Sequence, residues 1–371
     1  MSPSSLIENH PLDKEASYWI EQHIGAPIEQ VEVVAGGKNN QALKVKAKDK
    51  GCFFKQYFAD DSQRFQRETD FLSLLNQYKV DSVAELIASE QLGDREFALF
   101  SILPGEMPTS EKSKEKNKEK SNKKSKKTSV TSDRIQQAAN FVAQINRPEV
   151  HQAAKHILPA RGGLATPQAF IDEIINRTKS FQGLREGARE KEELALINRL
   201  EEFLNGEFQT AFQKAVSAVE DYFSEHIQQP LPKVLSSSDF GFHNTLFDSQ
   251  NNKLYFFDFE YAGWDSAEKL ITDFFAQPRF TIDPAQMENF IQTAFPARED
   301  LLLPNLVKHC QVLLPLAHLK WALIFLNDFK HHDSQRRAFA SEHQQNEKDQ
   351  LRLADKERQL LKAQQRIKDL L

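Results

Sequence analysis

The sequence has few cysteines and no long apolar runs. It contains only Cys52 and Cys310 in 371 residues, so a disulfide framework is excluded and a reducing cytoplasm is expected. No segment approaches the roughly 20 consecutive apolar residues that a membrane-spanning helix needs. The first residues, MSPSSLIENHPLDKE, lack the basic start and apolar stretch of a secretory signal. The sequence therefore predicts a cytoplasmic protein without a membrane span.

The chain also lacks a strong net charge. The formal charge is −5 at pH 7, which by itself neither indicates nor excludes a nucleic-acid partner. Apolar residues make up 40% of the chain and include 28 phenylalanines, enough for a substantial core. The length allows one large two-lobed unit or two ordinary domains.

Two kinds of catalytic or metal site are not favoured. Ser236 to Ser238 lack the glycines of the G-x-S-x-G elbow found in hydrolases. His309, Cys310 and His318 follow an apolar helical pattern, which favours packed core over a zinc site.

The most informative stretch is 235–259, which reads LSSSDFGFHNTLFDSQNNKLYFFDF. A polar loop carries Asp239 and, five residues later, Asn244. The apolar run that follows predicts a buried β-strand entered through a turn, with Asp258 at its end. A carboxylate, an amide and a second carboxylate are thus expected at the mouth of one β-hairpin. Such oxygen donors suit Mg²⁺, although an ordinary hairpin with polar ends gives the same pattern.

Three strands are predicted near the N-terminus, within 31–58. Gly36 and Gly37 follow the first strand, and Lys55 lies on the third. Glycines let the backbone come close to a ligand, and their N–H groups can meet phosphate oxygens. Alone, the glycine pair is a weak signal.

A helix is predicted next, over 61–78, because apolar residues recur there at helical spacing. Taken alone, Glu68 on this helix can be interpreted as a solvated carboxylate. Two further strands are predicted over 85–88 and 97–103.

A lysine-rich segment, 111–127, contains nine lysines, three glutamates and no apolar residue. It cannot bury a face, so disorder is predicted. One interpretation is a solvated insertion in a loop that tolerates length. The other is a basic tether for RNA, anionic lipid or an acidic partner. We favour the first, because no aromatic residue or arginine is interleaved for base stacking.

The remainder of the chain is predicted to be mainly helical. Ser132 and Thr166 are expected to cap helices, and Pro315 is expected to break an apolar helical pair. The helical patterns cover 135–145, 192–219, 267–275 and 301–329. At the C-terminus, leucines and an isoleucine spaced seven apart give weak support for a coiled coil and leave the oligomeric state unknown.

The D-x-x-x-x-N loop, followed by an apolar strand that ends in D-F-E, resembles the catalytic and metal-binding segments of the aminoglycoside phosphotransferase and choline kinase family. The resemblance spans about residues 28–330 without the lysine-rich segment. It implies an α+β, two-lobed, protein-kinase-like fold with a small β-rich N-lobe and a larger, mainly helical C-lobe. The implied division is an N-lobe with nucleotide-binding strands at 1–104, a lysine-rich disordered insertion at 105–130, a helical C-lobe with the catalytic and metal-binding segments at 131–340, and a C-terminal helix at 341–371.

The resemblance also implies an activity, the transfer of the ATP γ-phosphate to a hydroxyl of a small polar acceptor. That acceptor would be a sugar, an amino alcohol or an aminoglycoside-like molecule. Asp239 would orient the hydroxyl, while Asn244 and Asp258 would hold Mg²⁺, with Glu260 as a weaker candidate near the metal. The family also has an Asp near the position of Asp273, and that residue helps to support the catalytic loop.

The nucleotide would meet the N-lobe. Lys55, aimed by Glu68, would pair with the ATP phosphates beneath the turn formed by Gly36 and Gly37. The sequence does not distinguish ATP from GTP.

One residue departs from the family pattern. The family usually has His two residues before the catalytic Asp, and this chain has Ser237. A serine can bond a neighbouring backbone group and hold the turn, so we expect an active enzyme. The alternatives are a nucleotide-binding pseudokinase or scaffold without turnover, and a basic adaptor that binds RNA or membrane through the lysine-rich segment. The intact set of Lys55, Asp239, Asn244 and Asp258 favours the enzyme.

Overall fold

The structure is a computed structural model and describes residues 12–34, 40–48, 50–108, 130–187, 190–296, 303–330 and 349–371. Gly36 and Gly37, and all of the lysine-rich segment 111–127, lie outside the described residues. The predictions that concern them remain predictions.

The N-terminal part is a five-stranded antiparallel sheet with two helices, in the strand order β1-β2-β3-β5-β4. The elements are α1 (Lys14–Ile24), β1 (Gln30–Val33), β2 (Gln41–Ala47), β3 (Lys50–Tyr57), α2 (Arg64–Gln77), β4 (Leu86–Leu92) and β5 (Arg95–Ser101).

Alternation along β2 explains how this sheet packs. Leu43, Val45 and Ala47 are buried, whereas the residues between them are exposed lysines. The buried side chains pack against Trp19 and Ile20 of α1 in one apolar cluster. The period of two is that of a strand with one covered face. Helix α1 therefore covers one face of the sheet.

The rest of the described chain is mostly helical, with two small two-stranded sheets, β6-β9 and β7-β8. The elements are α3 (Ser132–Ile145), α4 (Pro148–Ala153), α5 (Pro167–Lys179), α6 (Lys191–Phe203), α7 (Gln209–Phe223), β6 (Lys233–Ser236), β7 (Thr245–Asp248), β8 (Lys253–Phe256), β9 (Gly263–Ser266), α8 (Ala267–Phe275), α9 (Met287–Ala294), α10 (Leu303–Phe325) and α11 (Asp349–Ile367).

Aromatic packing fixes the β7-β8 hairpin in the largest apolar cluster. Phe256 of β8 stacks on Phe141 of α3 with ring centroids 4.1 Å apart. Phe240, between β6 and β7, stacks on Phe274 of α8 at 5.0 Å. Phe259, after β8, contacts Phe71 of α2 at 5.4 Å. Phenylalanines thus hold the segment 239–259 against both the N-terminal helix α2 and the helical part.

Two sequence predictions about helix ends are corrected. Thr131 caps α3, since its hydroxyl accepts from the Arg134 N–H, and Ser132 is the first helical residue rather than the cap.

Pro315 does not break the chain into two helices, because it lies inside the continuous helix α10. Leu313, Leu316 and Leu319 around it are at most 1% exposed. Their burial stabilises the helix by several kcal/mol, which offsets the roughly 3 kcal/mol that an interior proline costs. The cap predicted at Thr166 is present, with its side chain accepting from Ala169.

The C-terminal helix packs within the chain. Leu360, Ala363 and Ile367 of α11 are fully buried in the apolar cluster that also holds residues of α6 and α10. Leu360 and Ile367, two of the three positions that suggested a coiled coil, are therefore covered within the chain, and Leu353 is half-buried against the same cluster.

Within the described chain, one helical stretch, Pro304–Phe329, is long and apolar enough to cross a membrane by length and composition. The sequence prediction overlooked it because Lys308 and Lys320 interrupt the apolar run. Within its most apolar window, 61% is buried inside the protein, and the two large apolar clusters take residues from it. Its packing is that of a core helix.

Candidate active site

The β7-β8 hairpin places Asn244 and Asp258 at its open end. The strands pair from Asp248 and Lys253 to Thr245 and Phe256. One step further, the Phe257 N–H donates to the Asn244 carbonyl oxygen at 3.1 Å. Asp258 follows at once with φ of 67°, a conformation that non-glycine residues adopt at a cost of about 1–2 kcal/mol. Backbone strain of this kind clusters at functional sites.

Three carboxylates lie around the ammonium group of Lys55. Its Nζ lies 2.7 Å from Glu68 Oε2, 2.8 Å from Asp258 Oδ1 and 3.9 Å from Glu260 Oε2. Burial alone would lower the pKa of Lys55, but the carboxylates of Asp258, Glu68 and Glu260 raise it above its usual value. Lys55 is therefore a fixed cation that joins β3 to the end of the hairpin.

Glu68 connects α2 to both sides of the site. Its Oε2 accepts from Lys55 and, at 2.6 Å, from the Tyr57 hydroxyl. Its Oε1 accepts from the Phe259 N–H at 3.2 Å. Glu68 is only 4% exposed, so it is not a solvated helix carboxylate. Tyr57 was not predicted from the sequence, although it lies two residues after Lys55 on the same face of β3.

Glu260 points towards the N-terminal part. It is 2% exposed, accepts a hydrogen bond from the Asn40 side chain, and lies 3.8 Å from Arg64 Nε. Glu260 thus contacts Lys55, Asn40 and Arg64. Its carboxylate is the third negative charge beside Lys55.

Asp239 lies in the loop between β6 and β7, with its side chain 36% exposed. His243 Nε2 is 2.9 Å from Asp239 Oδ1. The Asn244 amide nitrogen donates to the Asp239 carbonyl oxygen at 3.0 Å and, more weakly, to Oδ2 at 3.3 Å. Burial raises the pKa of Asp239, but His243, Lys320 and Asn244 together lower it below its usual value. Asp239 is therefore ionised at neutral pH.

Ser237 does not hold the loop in the way the sequence suggested. Its hydroxyl is buried and has no hydrogen-bond partner in the part of the chain that the structure describes. Ser236 Oγ instead accepts from the Ser238 N–H at 2.9 Å, and the Ser238 hydroxyl donates to the Arg161 carbonyl at 3.4 Å. The expectation about Ser237 was wrong because its neighbours already satisfy the nearby backbone groups.

A buried ionic network lies behind this loop. Lys269 Nζ is 2.9 Å from Asp265 and 3.0 Å from Asp273, and it donates to Ser238 Oγ at 3.2 Å. Lys320 of α10 pairs with the other oxygen of Asp273. Asp273 is therefore connected to the loop that carries Asp239 by Lys269, which contacts both Asp273 and Ser238.

The predicted residues form two connected groups. Lys55, Glu68 and Asp258 are in direct contact, and so are Asp239 and Asn244. The hairpin joins the two groups. The sequence missed His243, whose bond to Asp239 depends on a short 3₁₀ turn, Phe242–Asn244. A histidine four residues after a candidate Asp is the signal that was available.

The donor chemistry at the hairpin end fits a magnesium ion. Asp258 uses Oδ1 for Lys55, and Asn244 uses its amide nitrogen for Asp239. Among the described residues, Asp258 Oδ2 and Asn244 Oδ1 are the side-chain oxygens of this pair that remain without a hydrogen bond. No cluster of three or more His, Cys, Asp or Glu side chains suited to a metal occurs among the described residues. A cation bound here would thus take further ligands from substrate phosphates and water, as Mg²⁺ does.

Comparisons with known proteins identify the family and the fold. The model of the phosphotransferase enzyme family matches residues 30–298. None of the curated proteins matches the sequence.

Solved structures share the fold at low identity. A spectinomycin phosphotransferase in complex with ADP and spectinomycin has a TM-score of 0.59 at 13% identity, with 98% of this chain and 100% of that chain covered. A phosphotransferase solved with gentamicin has a TM-score of 0.53 at 13% identity, covering 95% and 97%. An ethanolamine kinase from Plasmodium vivax has a TM-score of 0.50 at 14% identity, covering 91% and 82%. The two-lobed, kinase-like α+β fold is confirmed.

Proposed function

This chain belongs to the phosphotransferase enzyme family, and we propose that it transfers the γ-phosphate of ATP to a hydroxyl group of a small polar molecule. The acceptor class we propose is a sugar, an amino alcohol or an aminoglycoside-like compound. The observation that carries the proposal is the pair of contacts at one hairpin, Lys55 with Glu68 and Asp258 on one side and Asp239 with Asn244 on the other. The ADP bound to the spectinomycin enzyme supports ATP as the donor.

Lys55 would bind the ATP phosphates. Because Glu68 holds Nζ at 2.7 Å and is itself fixed by Tyr57 and Phe259, the ammonium group is oriented before the nucleotide arrives. Preorganised charge of this kind stabilises a phosphoryl transition state without reorganisation during the reaction. Gly36 and Gly37 would cover the phosphates from above.

Asn244 and Asp258 would hold the magnesium ion through Asn244 Oδ1 and Asp258 Oδ2. The ion would neutralise the charge of the phosphate oxygens. Because Lys55 and this ion would both lie against Asp258, substitution of Asp258 should weaken ATP binding that depends on Mg²⁺.

Asp239 would orient the acceptor hydroxyl and accept its proton. Its lowered pKa keeps it ionised, as a hydrogen-bond acceptor for a hydroxyl must be. Oδ1 is occupied by His243 at 2.9 Å, whereas Asn244 reaches Oδ2 only at 3.3 Å. Oδ2 is therefore the oxygen with capacity for the substrate.

Two further features belong to the proposal. We place the enzyme in the cytoplasm, where ATP is available and where its two buried free thiols would stay reduced. We interpret the lysine-rich segment at 105–130 as an insertion between an N-lobe at 1–104 and a C-lobe at 131–340, without a role in binding nucleic acid.

Consumption of ATP, measured against a panel of sugars, amino alcohols and aminoglycosides, tests this function. We expect at least one acceptor to stimulate ATP consumption by the wild type. Asp239→Asn should lower that rate by about 10²–10⁴-fold, since it removes the base while keeping the shape. ATP binding without turnover for every acceptor would instead indicate a pseudokinase.

A further inference from the structure

His243 is held against Asp239 by its surroundings. The side chain is 17% exposed, and its ring meets Trp321 of α10 edge-on with centroids 5.4 Å apart. The ring also lies against Gly241, where a Cβ atom would come within 2.7 Å of His243 Nδ1. Real Cβ atoms do not approach so closely, so glycine at 241 is what leaves room for the ring. The ring orientation is therefore set by packing against Trp321 and Gly241.

The two ring nitrogens have different environments. Nε2 lies 2.9 Å from Asp239 Oδ1, whereas Nδ1 is buried and has no hydrogen-bond partner among the residues described. A buried N–H without an acceptor costs about 1–3 kcal/mol. The tautomer with its proton on Nε2 avoids that cost and donates to the carboxylate.

We propose that His243 is a positioning residue for Asp239. His243 fixes the carboxylate through Oδ1 so that Oδ2 faces the acceptor hydroxyl. This inference rests on the proposed function of Asp239 as the group that orients the acceptor. Asp239 is faced by His243 and Asn244 on its own loop and by Lys320 of α10. Of these, His243 lies closer to a carboxylate oxygen, at 2.9 Å, than the Asn244 amide, at 3.3 Å. The orientation of Asp239 therefore depends mainly on the imidazole.

Three substitutions at position 243 separate the hydrogen bond from the packing. His243→Gln places an amide nitrogen where Nε2 lies, so it can still donate to Asp239. His243→Asn has the same amide on a shorter side chain that does not reach. His243→Phe keeps the aromatic ring against Trp321 and Gly241 but has no donor.

We expect His243→Phe and His243→Asn to lower kcat by about 10- to 100-fold, the usual effect of misplacing a reacting group. KM for ATP should stay within about twofold, because Lys55 and Asp258 are untouched. His243→Gln should recover most of kcat. A loss confined to packing would follow ring shape instead, with Phe active and Gln impaired, and would overturn the proposal. Equal kcat in all four proteins would also overturn it.

A crystal structure of His243→Phe separates failure of this inference from failure of the proposed function. The inference expects the Asp239 carboxylate to turn away from its wild-type orientation or to occupy several orientations. An unchanged Asp239 would contradict it, whatever the activity of the wild type. Absence of turnover in the wild type, together with a displaced Asp239 in the variant, would reject the proposed function alone.

Discussion

Substitution of Asp273 by Asn should strongly destabilise the protein. Asp273 is 5% exposed, and its two oxygens pair with Lys269, at 3.0 Å, and with Lys320, whose side chains are 5% and 11% exposed. In Asp273→Asn, Lys269 keeps Asp265 at 2.9 Å. Lys320 loses the one ion pair that the structure gives it within the described residues, and Lys269 continues to repel it.

The expected loss is about 3–5 kcal/mol in the free energy of unfolding, because removing one partner leaves a buried charge uncompensated. Urea-induced unfolding near neutral pH measures it. Adding Lys320→Met to Asp273→Asn should recover part of the loss, with a coupling energy of about 1–3 kcal/mol in the double-mutant cycle.

The pH dependence has a defined sign. Burial raises the pKa of Asp273, but Lys269 and Lys320 together lower it. A carboxyl group whose folded pKa is lowered stabilises the protein fully above its unfolded pKa of about 3.8. That contribution disappears as pH falls through the lower folded pKa. The part of the difference between wild type and Asp273→Asn that comes from the Asp273 carboxylate should therefore be constant over the neutral range and shrink only in strong acid.

An exposed ion pair provides the control. Arg199 and Glu357 lie 2.6 Å apart, but their side chains are 47% and 51% exposed, so Glu357→Gln should cost less than about 1 kcal/mol. If Asp273→Asn costs no more than Glu357→Gln, the buried network does not stabilise the fold and this reasoning is wrong.

The remaining predictions concern the metal, the loop and the thiols. ATP should raise the melting temperature of the wild type more with Mg²⁺ than without it, and Asp258→Ala should remove that difference. Equal shifts for wild type and Asp258→Ala, each with and without Mg²⁺, would exclude a role for the metal in ATP binding. Ser237→Ala should change the free energy of unfolding by less than about 0.5 kcal/mol because its hydroxyl has no partner in the described structure, whereas Ser236→Ala should cost about 1 kcal/mol by freeing the Ser238 N–H. Burial raises the pKa of the Cys52 thiol to about 11 and that of the Cys310 thiol well above its usual value. A thiol reagent should therefore label neither cysteine in the native protein near neutral pH and both after denaturation. Rapid labelling of the native protein would contradict this burial.

The contacts of Lys55 could be anticipated from the sequence. A lysine on the third strand, a glutamate on the following helix and an aspartate at the end of a later strand occur in the order of the kinase-like family. In the structure, Lys55 Nζ lies 2.7 Å from Glu68 Oε2 and 2.8 Å from Asp258 Oδ1. The order of residues along the chain was informative here because strand and helix patterns place them reliably on known faces.

The environment of Asp239 could not be anticipated in the same way. The bond from His243 requires a 3₁₀ turn and a glycine that leaves space for the ring, neither of which has a strong local pattern. The error about Ser237 has a related cause. The local turn geometry decides which serine of the loop bonds a backbone group, and here Ser236 rather than Ser237 accepts from the Ser238 N–H. Polar contacts over a few residues are decided by turn geometry, which spacing does not specify.

Packing over long distances explains the other corrections. Pro315 lies within a continuous helix because leucines on both sides of it are buried. The apolar positions of α11 are covered by helices far away in sequence. In both cases the local pattern was recognised, but tertiary burial decided its outcome.

Transfer of a labelled γ-phosphate most directly tests the central claim. Wild type and Asp239→Asn are incubated with Mg²⁺, γ-labelled ATP and a panel of sugars, amino alcohols and aminoglycosides, and labelled products are separated from inorganic phosphate. We predict a labelled small-molecule phosphate with the wild type and at least one acceptor, and almost none with Asp239→Asn. Nucleotide binding by the wild type without any labelled acceptor, or equal labelling by both proteins, would contradict the account.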